Sequence, residues 1–221
     1  MKVAIHQPSY FAWLGYFQKI VWSDVFVYHD DIPIGHGKKF SNRVQVNDNE
    51  TPRWLTLPIK HTPETKLYEL ELNNLSDWRV DHLNKLENYY RKAKYFDTAF
   101  PILKNILISQ KGKQIKLLAD YNIYITEWIG YVLGLERKTV RASELNIQST
   151  DKQDVIIEII EKVKGMQYLS GTGAKEFQND DIYKRNGIEL TYQDTSKFNQ
   201  YSILDYLFNV GIDETKKLLN E

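Results

Sequence analysis

The feature that most constrains this chain is a short apolar run that stops at a histidine, a glutamine and a proline. Val3 to Ile5 are typical of a buried strand, and Pro8 cannot donate a ladder hydrogen bond, so the strand ends beside it. Ligands of open α/β folds bind just outside the carboxyl ends of the strands. His6 and Gln7, a titratable ring beside an amide, are therefore candidate catalytic residues. The alternative is that His6 only caps the strand.

Apolar periodicity along the rest of the chain predicts an α/β fold. The predicted strands lie at 3–5, 25–28, 67–72, 140–142, 166–169 and 188–192, and a hairpin is predicted at 44–59. Helices are predicted at 10–22, at 151–164 and in a block at 76–134. We expect a mixed, largely parallel sheet with flanking helices, one β-hairpin and a helical insertion. The length of 221 residues is that of a single domain spanning residues 1–221.

Composition narrows the functional classes. Lys+Arg and Asp+Glu both number 29, so a net charge of +0 gives no general attraction to nucleic acid or to anionic lipid. The chain has no Cys, which excludes disulfides, thiolate zinc sites and a cysteine nucleophile. No apolar run approaches about 18 residues, and no signal-peptide pattern is present. We therefore expect a cytoplasmic protein without a membrane span, and the sequence does not indicate its oligomeric state.

A histidine and two carboxylates follow the second predicted strand. Asp30 and Asp31 are candidate catalytic residues and His29 a candidate binding residue, because a carboxylate beside a histidine favours its action as a base. Together with His36 they are also of metal-ligand type, but their spacing matches no zinc signature. A solvated turn is the preferred interpretation, and we expect no metal; His36 remains a candidate substrate contact.

A glycine-rich loop follows a third predicted strand. Ser170, Gly171, Thr172 and Gly173 form a candidate anion cradle, because successive glycines let backbone N–H groups point at a ligand, and Lys175 would add charge. The spacing of a phosphate-binding P-loop is absent, and so is that of a dinucleotide fingerprint. An ordinary tight turn into a helix is an equally good interpretation.

Five further residues are candidate substrate contacts: Tyr10, Tyr16, Asn42, Arg43 and Trp54. Tyrosine and tryptophan suit ligand clefts because they combine an apolar body with a polar tip. A guanidinium such as that of Arg43 can clamp a phosphate or carboxylate with two parallel hydrogen bonds. The alternative for Arg43 is an ordinary surface ion pair.

Several of these residues belong to longer segments that together carry a family resemblance. The segments are Ile5 to Pro8, Tyr10-Phe11, Trp13 to Phe17, Ser23 to Val27, Asn42-Arg43, Trp54 to Pro58, Tyr168 to Gly171 and Ser202 to Asn209. Through them the chain resembles the WbqC-like protein family of bacterial surface-polysaccharide gene clusters. The resemblance covers nearly the whole chain, and the opening block is its most specific part.

The resemblance implies an enzyme of O-antigen, or lipopolysaccharide, assembly that attaches an acyl or aminoacyl group to the amine of a nucleotide-linked amino sugar. It implies a thioester donor, on phosphopantetheine or coenzyme A, with an acyl carrier protein as candidate partner and no tightly bound cofactor. His6 would be the base, Gln7 or the amides of 170–173 the oxyanion donors, and Arg43 or Lys175 the diphosphate clamp. Lysine pairs at 38–39 and 216–217 are candidate carrier contacts.

Two other classes remain open. A nucleotidyltransferase or ligase with a His-x-Gly-His signature would share His6, but the second histidine is missing where Gly15 and Tyr16 stand. A non-catalytic sugar-nucleotide-binding or assembly protein would have the same aromatic-rich clefts. Turnover by the purified protein separates the last class from both enzymes.

Overall fold

A five-stranded parallel sheet forms the centre of the computed structural model, which describes residues 1–34 and 40–221. Its strands are β1 (Lys2–His6), β2 (Val25–Tyr28), β7 (Lys138–Arg141), β8 (Gln167–Gly171) and β9 (Glu189–Gln193). They lie in the order β7-β2-β1-β8-β9, and β1 pairs in parallel with both β2 and β8. The prediction that segments 3–5, 25–28 and 166–169 share one sheet is therefore confirmed.

The remaining elements flank this sheet or extend from it. The helices are α1 (Leu14–Val21), α2 (Trp78–Tyr90), α3 (Phe96–Ile108), α4 (Gln110–Gln114), α5 (Leu118–Val132), α6 (Lys152–Lys162), α7 (Asp180–Arg185), α8 (Ile203–Asn209) and α9 (Ile212–Leu218). The remaining strands are β3 (Arg43–Asp48), β4 (Thr51–Thr56), β5 (Ile59–Lys60) and β6 (Glu71–Leu72). The predicted mixed α/β class is confirmed.

The three inner strands β1, β2 and β8 are buried on both faces of the sheet, and the two faces form separate cores. Ala4 packs in one core with Leu14 of α1, whereas Val3 and Ile5 pack in the other with Ile159 of α6. Successive side chains of a strand point to opposite faces. The apolar run at the start of the chain therefore supplies both cores, and α1 and α6 cover opposite sides of the sheet.

The predicted hairpin and helical insertion are both present. Strands β3 and β4 pair antiparallel across a turn in which Asn49 and Glu50 have φ values of 46° and 68°. The helices α2 to α5 lie between β2 and β7 in the chain, as the period change at 76–134 predicts. The block ends at Gly134, whose φ of 67° is the left-handed conformation that closes a helix.

Two local predictions are wrong. The helix expected over 10–22 begins only at Leu14, because Phe11 has a φ of 39° that an α-helix cannot contain. The strand expected over 67–72 is a 3₁₀ turn at Leu67–Glu69 followed by the two-residue β6. Leu67 and Leu70 are both buried, and their separation of three residues matches one face of a 3₁₀ turn rather than of a strand.

Candidate functional site

The sheet order places the expected ligand crevice at the carboxyl ends of β1 and β8. The chain runs from β1 outward through β2 to β7, then returns to β8 on the other side of β1 and continues to β9. Ligands of doubly wound sheets bind where the strand order reverses in this way. Here the reversal lies between His6 at the end of β1 and Gly171 at the end of β8. This crevice, the switch-point crevice, is the candidate site.

His6 is a neutral imidazole with one defined tautomer. Its Nδ1 lies 3.1 Å from the Gln7 carbonyl oxygen, which can only accept, so Nδ1 carries the proton and donates it to that bond. The Nε2 lone pair makes no hydrogen bond within the described residues. Burial, and then the nearby Lys19 ammonium, lower the pKa of His6 to about 3. The ring also packs edge-on against Tyr16, with 4.9 Å between ring centroids.

Lys19 is the site residue that the sequence analysis missed. It lies on α1, only 5% of its surface is exposed, and burial lowers its pKa from 10.5 to about 8. A Cβ added to Gly171 would lie 3.2 Å from its Nζ, so the ammonium group lies beside the carboxyl end of β8. It has no hydrogen bond or ion pair with another described residue. One feature of the sequence could have indicated that Lys19 is buried. It lies three residues after Tyr16, and therefore on the apolar face of the predicted helix.

A buried amide network fixes α1 against the sheet. The Gln193 Nε2 at the end of β9 donates to the Gly15 carbonyl and to the Gln18 Oε1, both at 2.8 Å. Gln193 and Gln18 are each about 2% exposed or less. These bonds hold α1, and with it the backbone of Lys19, against the end of β9.

A cavity of about 230 Å³ opens beside His6. It is lined by His6, Ser9, Tyr10, Ala12, Trp13, Phe40, Arg43, Val44 and Gln200. This volume is below the about 300–1,000 Å³ of pockets that enclose a whole ligand. The cavity therefore fits the reacting end of a substrate rather than a complete nucleotide-linked sugar.

Three predicted contacts meet at or near this cavity. The Arg43 guanidinium lies 4.4 Å above the Trp54 ring, and its Nε is buried without a hydrogen-bond partner among the described residues. The Tyr10 hydroxyl lies 2.8 Å from the His82 Nδ1. By contrast, the Asn42 amide donates to the Leu57 carbonyl at 3.3 Å and so holds the end of the hairpin.

The acidic pair divides between two environments. Asp30 is fully buried, and its carboxylate accepts hydrogen bonds from the Ser143 amide, the Ser143 hydroxyl and the Arg141 Nε at 2.7–2.9 Å. It makes no hydrogen bond to His6 and instead holds the segment after β7. Asp31 lies with its Oδ1 3.4 Å from the His29 Nε2. Burial lowers the pKa of His29, although Asp31 and Asp30 oppose this.

The glycine loop is only partly at the crevice. Ser170 is buried and Gly171 contacts Lys19, but a 3₁₀ turn of Thr172–Phe177 then leads away. Nothing lies within 4 Å of a Cβ added to Gly173. The Lys175 ammonium lies 5.6 Å from the centre of the Tyr192 ring, at the sheet edge. Lys19, rather than Lys175, is thus the cation beside Gly171.

The remaining predictions concern His36, the two lysine pairs, metal binding and membrane spans. His36 and the lysine pair at 38–39 lie outside the described residues. In the second lysine pair, the Lys217 ammonium forms a 2.9 Å ion pair with Glu214. In the described ranges, no group of three or more His, Cys, Asp or Glu residues could hold a metal ion. No helix in the same ranges is long and apolar enough to span a bilayer.

Comparison with known proteins identifies a family and a distant relative. The sequence model of the WbqC-like protein family matches residues 7–217. A protein of Mycobacterium tuberculosis named "Uncharacterized protein Rv1507c" is 25% identical over 225 residues, which cover 96% of this chain and 95% of that protein. No solved structure matches. The family match contains Lys19, Arg43 and Gly171, and it begins one residue after His6.

Proposed function

The chain belongs to the WbqC-like protein family, and we propose that it transfers an acyl or aminoacyl group to the amine of a nucleotide-linked amino sugar in surface-glycan assembly. The observation that carries the proposal is the state of His6. Its ring is neutral, its Nδ1 proton is committed to the Gln7 carbonyl, and its Nε2 is left to accept a proton beside a cavity. Amide formation needs such a proton acceptor.

In the proposed reaction the sugar amine attacks the carbonyl carbon of a thioester. A carbon–nitrogen bond forms, the carbon–sulfur bond breaks, the amine proton passes to the His6 Nε2, and that proton then neutralises the departing thiolate. The products are an amide-linked sugar nucleotide and a free thiol. The Gln7 amide is the candidate donor to the oxyanion of the tetrahedral intermediate.

Lys19 and Arg43 supply positive charge for an anionic substrate. A buried ammonium group without a partner is costly, and a diphosphate in the switch-point crevice would compensate it. Such an anion would also raise the pKa of His6 and of Lys19, because a nearby negative charge favours their protonated forms. Substrate binding would thus move His6 from about 3 toward the range in which a base is effective at neutral pH.

The test is mass spectrometry of amino sugar nucleotides incubated with the purified full chain. An acyl thioester and an aminoacyl thioester are supplied on coenzyme A and on a phosphopantetheine carrier. We expect the sugar nucleotide to gain the mass of the acyl group, and the matched nucleotide with a hydroxyl group in place of the amine to remain unchanged. Catalysed release of pyrophosphate from ATP would instead support nucleotidyl transfer.

A second candidate function is binding of a sugar nucleotide without chemistry. The pKa of about 3 favours it, because a base that weak is ineffective at neutral pH unless the substrate raises it. If the protein binds an amino sugar nucleotide, and that nucleotide gains no mass with any thioester, this second function replaces the first.

A further inference from the structure

A second, larger cavity lies on the opposite side of the sheet from the His6 cavity. Its volume is about 720 Å³, within the range of about 300–1,000 Å³ that small-molecule sites occupy. Ile5 lines it, whereas the next residue, His6, lines the smaller cavity. Because neighbouring side chains of a strand point to opposite faces, the end of β1 separates the two cavities. We call this larger space the α6 cavity, since Val155 and Ile156 of α6 form part of its wall.

Four buried polar atoms that lack hydrogen-bond partners among the described residues belong to residues lining the α6 cavity. They are the Gln178 Oε1, the Tyr183 hydroxyl, the His29 Nε2 and the Asp31 Oδ1. The last two lie 3.4 Å from each other as an ion pair but do not form a hydrogen bond. Buried polar atoms without partners are uncommon and costly, and each calls for a specific explanation. Their concentration around one cavity indicates a site that is completed by a ligand.

The chemistry of these atoms selects the ligand. The Asp31 and Gln178 oxygens accept hydrogen bonds but cannot donate them, so the ligand must carry donors. Ile5, Val155 and Ile156 form an apolar wall beside them, so the body of the ligand must be apolar. We infer that the α6 cavity binds a primary amine on an apolar body, as an amino acid or aminoacyl group presents, with its ammonium group held by Asp31 and Gln178.

The neighbouring charges are compatible with an ammonium group in this position. Burial lowers the pKa of His29, which disfavours the charged form of the ring beside Asp31 and so reduces its repulsion of a cation. Lys66 and Lys152 also line the cavity, and both side chains are exposed to solvent. Their ammonium groups would interact with a carboxylate or carbonyl at the other end of the same ligand. The inference concerns binding alone and does not depend on the transfer reaction proposed above.

Three probes of similar size separate the ammonium group from the apolar body. L-leucine carries an amine and a carboxylate, 3-methylbutylamine lacks the carboxylate, and 4-methylpentanoate lacks the amine. Each is titrated into the isotope-labelled full chain and followed by two-dimensional NMR. We expect saturable shifts with L-leucine and 3-methylbutylamine centred on Ile5, Gln178 and Tyr183. The affinity for 4-methylpentanoate should be weaker by at least about tenfold, because the charge-assisted hydrogen bonds are lost.

Two variants and one control complete the test. Asp31→Asn should weaken L-leucine binding by at least about tenfold, and Val155→Trp should block it by filling the cavity. Asp154→Asn, an exposed carboxylate on α6 that does not line the cavity, is the matched control and should bind normally. Equal affinity for the amine and the acid, unchanged binding by Asp31→Asn, or no saturable binding of any probe overturns the inference. If Asp31→Asn does not fold, the comparison of the three probes and Val155→Trp decide.

Discussion

Replacing Lys19 by methionine should stabilise the protein and impair its function. Methionine keeps an unbranched side chain of similar length and removes the amine. The pKa of Lys19 is lowered from 10.5 to about 8 by burial, and a gap of about 2.5 pH units corresponds to about 3 kcal/mol. That cost is present while the folded-state amine is charged, so Lys19→Met should raise the free energy of unfolding by up to about 3 kcal/mol at pH 7.

The pH dependence gives a second signature of the same cost. Between about 8 and 10.5 the unfolded wild-type chain binds the Lys19 proton and the folded chain does not, so the stability of the wild type rises with pH in this window. The cost is fully present below about pH 8 and is absent above 10.5. Lys19→Met lacks this group, so its advantage over the wild type should shrink as pH rises through the window.

Urea unfolding at pH 7 and at pH 9.5 measures both effects. Lys104→Met, at an exposed position of α3, is the control and should change stability by less than about 0.5 kcal/mol. Lys19→Met should also raise the pKa of His6, measured by NMR titration. The Lys19 ammonium is, after burial, the largest contribution that lowers this pKa. Lost stability in Lys19→Met would refute the claim of an uncompensated ammonium. Unchanged sugar-nucleotide binding would refute its functional role.

Three other substitutions test the remaining assignments. His6→Asn keeps a donor for the Gln7 carbonyl and removes the Nε2, so turnover should fall by about two to four orders of magnitude with little change in the circular dichroism spectrum; near-normal turnover would leave His6 a structural residue. Gly171→Val should weaken sugar-nucleotide binding in calorimetry by displacing the Lys19 ammonium, whereas Gly173→Val, in open space, should not; equal effects would contradict this geometry. Asp30→Ala should cost about 2 kcal/mol in urea unfolding, because it removes three hydrogen bonds to a buried carboxylate while Arg141 keeps its ion pair with Asp120; a cost below about 1 kcal/mol would argue against this structural role.

The fold was largely predictable because its strands carry a local signal. Val3 to Ile5 and Val25 to Tyr28 are continuous apolar runs, which is the pattern of strands buried on both faces. The order of the strands was not predictable in the same way. Strand β7 pairs with β2 although the whole hairpin and helical block lie between them in the chain. The position of the switch-point crevice follows from a second non-local pairing, that of β8 with β1.

Site residues could be predicted where the local sequence ends a strand, but not where their role depends on burial in the folded protein. His6 stands out because Pro8 follows it closely. Lys19 does not, since a lysine on a helix is almost always exposed unless paired. Asp30 was predicted to be catalytic from its residue type and neighbours. Its role depends on Arg141 and Ser143, which are brought to it only by the pairing of β2 with β7.

The tautomer of His6 follows from its contact with the next residue. Strand β1 ends at His6, so the Gln7 carbonyl lies outside the strand ladder and accepts from the side chains beside it. It accepts from the His6 Nδ1 at 3.1 Å and from the Ser9 hydroxyl at 3.3 Å. A histidine whose Nδ1 donates must carry its lone pair on Nε2 while it is neutral. The contact with the Gln7 carbonyl thus determines which ring nitrogen can accept a proton, and the alternation of the strand places that ring on the side of the sheet where Lys19 lies.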